Sequence, residues 1–367
     1  MPDSAAHSLP RRLVRRSAKR EGGSSKSEDG RRNSKGEGGL ARLIAAGRGK
    51  RVVVFGDLIA DEYVYGRITR VSREAPVLIL EYNATEIIPG GAGNAANNVA
   101  SLGGLVRLVS LVGRDEPGQR LFKVLPRTVD RSALISPAAY RTPVKTRILA
   151  GGIHSAKQQV VRIDRYTDES VSERHRTLVE RAAMRAIKDA DAVLVSDYGS
   201  GLVTPRFVGD LALRVRDRNP NVPILIDSRY ALTRYAGLTA CTPSESEVEQ
   251  VLGIRIDDRR AVLERAGRRL LEQTRMSCVL ITRGSRGMAV FEPGKKTVHI
   301  PIFGSDQIAD VTGAGDTVMA TMTLALAAGA TFEEAARLAN YAGGLVVMKR
   351  GTATVSAAEL RRAVSNG

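Results

Sequence analysis

A chain of 367 residues with 43% hydrophobic and 26% charged residues holds enough apolar material for one large α/β domain or two modest ones, which excludes a wholly disordered or low-complexity protein. Its formal charge of +17 is uneven, because residues 1–50 carry 13 Lys and Arg against 5 Asp and Glu; the mild basic bias left beyond them suits an anionic small molecule and does not require nucleic acid. Two cysteines, Cys241 and Cys278, exclude a disulfide scaffold, and no apolar run reaches the roughly 18 residues of a membrane span, so a cytoplasmic protein without a membrane partner is expected.

Residues 1–50, rich in Arg, Lys, Ser and Gly as in Gly22-Gly23-Ser24-Ser25-Lys26, read as a disordered basic extension with a short helix over Leu40–Ala46. The texture changes at Arg51. Val52-Val53-Val54-Phe55, closed by Gly56-Asp57, has the pattern of a strand buried on both faces. Similar runs recur at Leu105–Val109, Ala192–Val195, Ile224–Ile226 and Val279–Ile281, with stretches of helical period such as Glu173–Lys188, Pro205–Arg216 and Arg259–Gln273 between them. This alternation predicts an α/β fold with a mainly parallel sheet, helices on both faces, and a ligand beyond the C-terminal ends of the strands. Residues 63–82 and 142–163 break the rhythm with strand-like alternation and no helix, and predict a small antiparallel flap that excludes water from a reaction.

Pro89-Gly90-Gly91-Ala92-Gly93-Asn94-Ala95-Ala96-Asn97-Asn98 opens a helix running to about Leu102. Its Gly91-x-Gly93-x-x-Ala96 matches a dinucleotide fingerprint, with Asp115 about 20 residues on, yet only Ile87-Ile88 and Pro89 precede it where such a motif follows a strand directly. Asn94, Asn97 and Asn98 better suit sugar hydroxyls, although Asn98 can equally cap the helix. A phosphate-binding Gly-x-x-x-x-Gly-Lys-[Ser/Thr] loop does not occur.

The most informative stretch is Asp310-Val311-Thr312-Gly313-Ala314-Gly315-Asp316-Thr317, followed by an apolar helix to about Ala328. Gly313 and Gly315 let a ligand approach the backbone, and the N–H groups at the helix start form a site for a γ-phosphate. Asp316 in the first helical turn is then a candidate base for an attacking hydroxyl, with a low pKa expected beside the helix dipole. The same tetrapeptide also serves as a plain helix cap with a dipole-complementing acid.

From Arg51 onward these pieces, in this order, resemble the ribokinase-like (pfkB) family of sugar kinases. Within that family Gly56-Asp57-Leu58-Ile59-Ala60-Asp61-Glu62-Tyr63, Ser72-Arg73-Glu74-Ala75-Pro76-Val77, Val144-Lys145-Thr146-Arg147, Gln158-Gln159-Val160-Val161-Arg162-Ile163-Asp164 and Ser196-Asp197-Tyr198-Gly199-Ser200-Gly201 are similar to the kinases that act on C1 of D-glycero-β-D-manno-heptose 7-phosphate. The resemblance implies a ribokinase-like fold, ATP with Mg²⁺, a sugar phosphate as acceptor, and a homodimer formed through the flaps. It makes Asp316 the base, and the N–H groups of Gly313, Ala314 and Gly315 the anion hole. Asp57, Asp61, Gly90, Gly91, Asn94, Lys145, Gln159 and Asp197 become sugar contacts. Ser244, Glu247, Thr282, Gly284, Gly287, Asn340 and Gly343 belong to the ATP site. Glu247 holds Mg²⁺ through water, and Asp310 and Thr312, with Gly351 and Ser356 nearby, offer a site for a monovalent cation such as K⁺.

Two positions depart from the family pattern. Ser244-Glu245-Ser246-Glu247 stands where Asn-x-x-Glu is usual, and Asp227-Ser228-Arg229 where a Lys is common. Bifunctional relatives carry a C-terminal nucleotidyltransferase domain, which is not expected before Gly367. Another sugar kinase of the family is the nearest alternative; an NAD-dependent oxidoreductase and a non-catalytic sugar binder are more distant ones.

Overall fold

The computed structural model describes residues 38–151, 157–165, 171–304 and 310–366. Each apolar run read from the sequence is a strand. In chain order the described residues form α1 (residues 38–47), β1 (Arg51–Gly56), β2 (Leu58–Val71), β3 (Leu78–Gly91), α2 (Ala92–Ser101), β4 (Leu105–Leu111), α3 (Glu116–Val124), β5 (Val129–Asp130), β6 (Leu134–Ile135), β7 (Val144–Gly151) and β8 (Gln158–Arg165). There follow α4 (Glu173–Ala186), β9 (Ala192–Asp197), α5 (Pro205–Arg218), β10 (Ile224–Ser228), β11 (Ala240–Cys241), α6 (Glu245–Leu252), α7 (Arg260–Thr274), β12 (Cys278–Thr282), β13 (Met288–Phe291), β14 (Val298–Ile300), α8 (Ala314–Ala327), α9 (Phe332–Val346) and α10 (Ala357–Asn366).

The main sheet has the order β14-β13-β12-β11-β10-β9-β1-β4-β5, with β6 also on β4. It is parallel from β12 to β5, and β13 and β14 complete it antiparallel. Alternate residues of β1 feed two cores. Val52 and Val54 pack with Leu40, Val99, Met319, Met322 and Leu338 on one face, while Val53 and Phe55 pack with Val179, Val208, Leu211 and Leu270 on the other. Each such fully buried side chain stabilises the fold by about 1.5–3 kcal/mol, and Phe55 meets Phe207 edge-on at 5.4 Å between ring centroids. Cys241 and Cys278 are buried and unpaired.

The chain leaves β1 for β4 on one side and later returns as β9 on the other, so the C-terminal ends of β1, β9 and β10 open at a point where strand order reverses. That crevice is where an open α/β sheet binds ligands.

The expected flap is a separate sheet of order β3-β2-β7-β8. Both of its hairpins are antiparallel, but they are joined by a parallel seam in which Asp61 faces Lys145 and Tyr63 faces Arg147. It also reaches further than residues 63–82, because β2 starts one residue after β1 and β3 runs straight into α2. The Gly91 cluster therefore does follow a strand directly, against the expectation above. That strand belongs to the antiparallel lid hairpin, however, so a βαβ dinucleotide unit is not formed.

The composition-based boundary at residue 50 also moves. Residues 1–37 lie outside the described residues, but α1 buries Leu40 and Ile44 against Leu102, Met322 and Leu360, so residues 38–50 belong to the folded body. Among the described residues no helix is long and apolar enough to cross a membrane.

Candidate active site

At the start of α8 the chain adopts a left-handed turn at Gly313, φ 77°. Any Cβ there would lie 2.5 Å from the Asn94 side-chain nitrogen, so only glycine lets α2 approach the turn this closely. The Ala314 N–H is taken by the Val311 carbonyl at 3.2 Å. Those of Gly313 and Gly315 have no partner among the described residues, which leaves two of the three expected anion-hole donors available.

Asp316 follows in the first turn and is buried. Its Oδ2 accepts from Asn94 Nδ2 at 2.8 Å and its Oδ1 from the Tyr198 hydroxyl at 3.1 Å. Burial pushes the carboxyl up to about 6, against the opposing pull of those two hydrogen bonds. The low pKa expected from the helix dipole is thus overturned, because desolvation outweighs a dipole effect of about 0.3–1 kcal/mol.

The carboxylate faces a cleft of about 1020 Å³. The lid supplies Asp61, Lys145, Arg147 and Gln159, the main sheet Asp197, Tyr198, Asp227 and Arg229, and the far end Ser244, Glu247, Thr282, Gly284, Gly287, Asn340 and Gly343, with Asp310 and Thr312 beside the α8 turn. Asp61 Oδ1 accepts from Arg147 Nη1 at 2.6 Å. Lys145 is 5% exposed and has no ion-pair partner among the described residues; its Nζ lies 4.6 Å from the Tyr198 ring centroid, and burial lowers its pKa.

At the far end, Ser244 caps α6 and forms a capping box with Glu247, whose Oε2 accepts the Ser244 N–H and hydroxyl, each at 2.8 Å. Glu247 Oε1 stands 3.7 Å from Arg229 Nε. Burial and the charges of Glu247 and Asp316 hold the Asp227 carboxyl well above the usual range. Asn340 donates to the Pro301 carbonyl at 2.8 Å and so ties α9 to the segment after β14. Asp310 accepts from the N–H groups of Thr312 at 2.9 Å and Gly351 at 3.0 Å, while the Ser356 hydroxyl is committed to Glu359 at 2.7 Å.

A model of the pfkB family of carbohydrate kinases matches residues 50–359. The chain belongs to this family. The match covers both sheets, the lid and every residue named above for the cleft.

The pfkB-family assignment agrees with curated relatives. The chain is 40% identical over 324 residues to the bifunctional protein HldE of Geobacter sulfurreducens, covering 87% of this chain and 64% of that protein. It is 40% identical over 316 residues to HldE of Nitrosococcus oceani, covering 86% and 64%. The chain thus spans a little under two thirds of the length of these relatives. Among solved structures, ribokinase of Arabidopsis thaliana aligns with a TM-score of 0.65 at 20% identity, covering 87% of this chain and 98% of that one. Phosphofructokinase-2 of Escherichia coli aligns with a TM-score of 0.69 at 17% identity, covering 87% and 99%. The fold is accordingly ribokinase-like.

Within this pfkB-family site, three residues expected to touch sugar do not line the cleft. Asp57 is buried behind it, where its Oδ2 accepts the Tyr198 N–H at 2.7 Å and its Oδ1 the Ser200 hydroxyl; burial raises its carboxyl to about 6. Gly90 lies under Asp61, and a Cβ there would stand 2.3 Å from Asp61 Oδ2. Asn94 sits behind Asp316, with its amide committed to Asp316 and the Gly313 carbonyl. Conversely Tyr198, Arg147, Asp227 and Arg229 line the cleft without having been assigned roles. The alternation Lys145-Thr146-Arg147 on a strand carried the signal for Arg147, since i and i+2 share a face. Nothing in a single sequence placed Tyr198 beside Asp316, 118 residues away.

Proposed function

We propose that this pfkB-family kinase transfers the γ-phosphoryl group of ATP to the C1 hydroxyl of D-glycero-β-D-manno-heptose 7-phosphate, giving the 1,7-bisphosphate for nucleotide-sugar synthesis in the cytoplasm. The observation that carries it is a buried carboxylate next to helix-start amides that have no partner among the described residues, in a cleft whose lid side holds a buried lysine with no close ion pair among the described residues, only the more distant charges of Asp61 and Asp164. A buried ammonium without a close partner is costly. An anionic group on the substrate, remote from the reacting hydroxyl, would compensate Lys145.

In this reading the sugar hydroxyl hands its proton to Asp316 as its oxygen bonds to Pγ and the bond to ADP breaks. The Gly313 and Gly315 N–H groups take up charge on the transferring oxygens. Asp61, Gly91, Gln159 and Asp197 line the sugar end, and Thr282, Gly284, Gly287, Asn340 and Gly343 the nucleotide end. Mg²⁺ brought by ATP would neutralise the phosphates. Glu247 keeps one oxygen free of its capping box to hold the ion's hydration shell, and the raised Asp227 carboxyl beside it would ionise only once a cation is there. The two Asp310 oxygens retain lone pairs that suit a monovalent cation, and the E. coli phosphofructokinase-2 structure is described in complex with potassium.

We read the assembly as a homodimer through the lids. Val160, Val161 and Ile163 on β8 and Val71, Leu78 and Tyr82 on the other hairpin are exposed apolar residues, and β8 is an uncovered edge of its sheet. Sedimentation should give twice the chain mass, and Val161→Glu should return the mass to one chain.

The deciding experiment incubates purified protein with Mg-ATP and a panel of sugars and sugar phosphates, following ADP release and the product by phosphorus NMR. Heptose 7-phosphate should give the highest kcat/KM and a new anomeric phosphate. Preference for an unphosphorylated pentose or a nucleoside would replace this reading with another sugar kinase of the family.

A further inference from the structure

We propose that Tyr198 is a positioning residue for the catalytic base, its phenol fixing the Asp316 carboxylate at the side of the cleft, and that Asp57 exists to hold the Tyr198 loop in place. The inference rests on Asp316 being the base.

The Asp316 carboxylate has one donor on each oxygen, Asn94 on Oδ2 and Tyr198 on Oδ1. With both oxygens held, rotation about the Cβ–Cγ bond is blocked, and the same lone pair is presented to each incoming hydroxyl. Asn94 comes from α2 on one side, and Tyr198 from the loop after β9 on the other.

That loop is fixed by two carboxylates. Asp57 accepts from the N–H groups of Tyr198 at 2.7 Å and Ser200 at 3.4 Å and from the Ser200 hydroxyl. Asp197 accepts from the Gly199 N–H at 3.0 Å and from the hydroxyls of Ser228 and Tyr235, each at 2.7 Å. Asp57 is 3% exposed and does not itself line the cleft, and its side-chain acceptors are taken by the loop. Burying a carboxylate is costly unless its oxygens are satisfied, and here both are spent on the backbone and neighbour of one tyrosine. The ring is held from the ligand side as well, with Lys145 Nζ at 4.6 Å and Arg229 Cζ at 5.4 Å from its centroid.

Tyr198→Phe removes one O–H and keeps the ring. Loss of a hydrogen bond to a charged group should lower kcat about 10-fold while KM for ATP stays within about 2-fold of wild type. The acid limb of kcat/KM should move up by about 0.5 to 1 pH unit, because a donor to the ionised form is gone. A readout free of substrate comes from carbon-13 NMR of the full chain labelled at Asp carboxyls, with the Asp316 resonance assigned by Asp316→Asn; its midpoint should rise by the same amount in Tyr198→Phe. A midpoint unchanged within about 0.2 pH unit, or unchanged kcat, overturns the inference and leaves Tyr198 a packing residue. Should wild-type protein turn over no sugar, the proposed function fails, while the NMR midpoint still decides whether Tyr198 acts on Asp316.

Discussion

Asn94 Nδ2 donates to Asp316 Oδ2 at 2.8 Å and also reaches the Gly313 carbonyl at 3.3 Å. One amide thus fastens the proposed base and the turn that presents the proposed anion-hole amides. Asn94→Ala frees both, and kcat should fall about 10- to 100-fold, as expected for a lost hydrogen bond to a buried charge. Initial-rate kinetics check it, and an unchanged kcat refutes the fastening role.

Asp316→Asn removes the proton acceptor and keeps the shape. Turnover should fall about 10²- to 10⁴-fold, while ATP binding, measured by calorimetry, persists because no predicted nucleotide contact is lost. A variant with near-normal turnover would mean that the base lies elsewhere.

The pH behaviour of that carboxyl has two opposite signs. Activity needs the ionised form, so kcat/KM should decline below about pH 6. Stability runs the other way, because a carboxyl raised from 3.8 to about 6 in the folded chain binds its proton more tightly folded than unfolded. Its stabilising contribution is present below the unfolded value and is lost as pH rises through about 6. Asp316→Asn should therefore exceed wild type in stability by roughly 3 kcal/mol at pH 8, a margin that closes towards pH 4. Urea titrations at the two pH values test it, and a margin that grows on acidification contradicts the assignment.

Gly90 leaves room for Asp61. An Ala Cβ at this position would meet Asp61 Cγ at 2.7 Å and push the carboxylate off its 2.6 Å pairing with Arg147. Gly90→Ala should cost about 1–3 kcal/mol of stability, as overpacking does, and raise KM for the sugar with little change in KM for ATP. Equal effects on both Michaelis constants would show a general distortion of the cleft.

Lys145→Met keeps the apolar stem and removes the charge. If Lys145 meets the remote anion of the acceptor, kcat/KM for a sugar phosphate should drop about 10- to 100-fold, with the unphosphorylated sugar almost unaffected. A uniform drop for both acceptors would leave Lys145 outside acceptor recognition.

Much of this was legible in the sequence because it is local. Apolar runs marked the strands of the main sheet, helical period marked α4, α5 and α7, and the two glycine clusters announced the helix starts at α2 and α8. What escaped was set by distance along the chain. Asp57 reads as a sugar contact beside Gly56, and only folding shows it turned to Tyr198 and Ser200, more than 140 residues away. The dipole argument for Asp316 failed for the same reason, since its desolvation comes from elements packed around it and not from its own turn. Composition mis-set the folded boundary because two apolar residues in a basic stretch, Leu40 and Ile44, suffice to dock α1.

The β2–β3 hairpin of the lid is not hung from linkers. β2 departs one residue after β1, and β3 delivers the backbone into α2 without a spacer, so the sheet above the cleft and the helix carrying Asn94 are one continuous piece of chain. Any tilt of that hairpin acts as a lever on Asn94, three residues beyond its end, and through it on Asp316. In the proposed function, closing over a sugar and aligning Asp316 would thereby be a single mechanical event, and a partner gripping the outer edge of the lid would gain a handle on turnover without coming near the nucleotide.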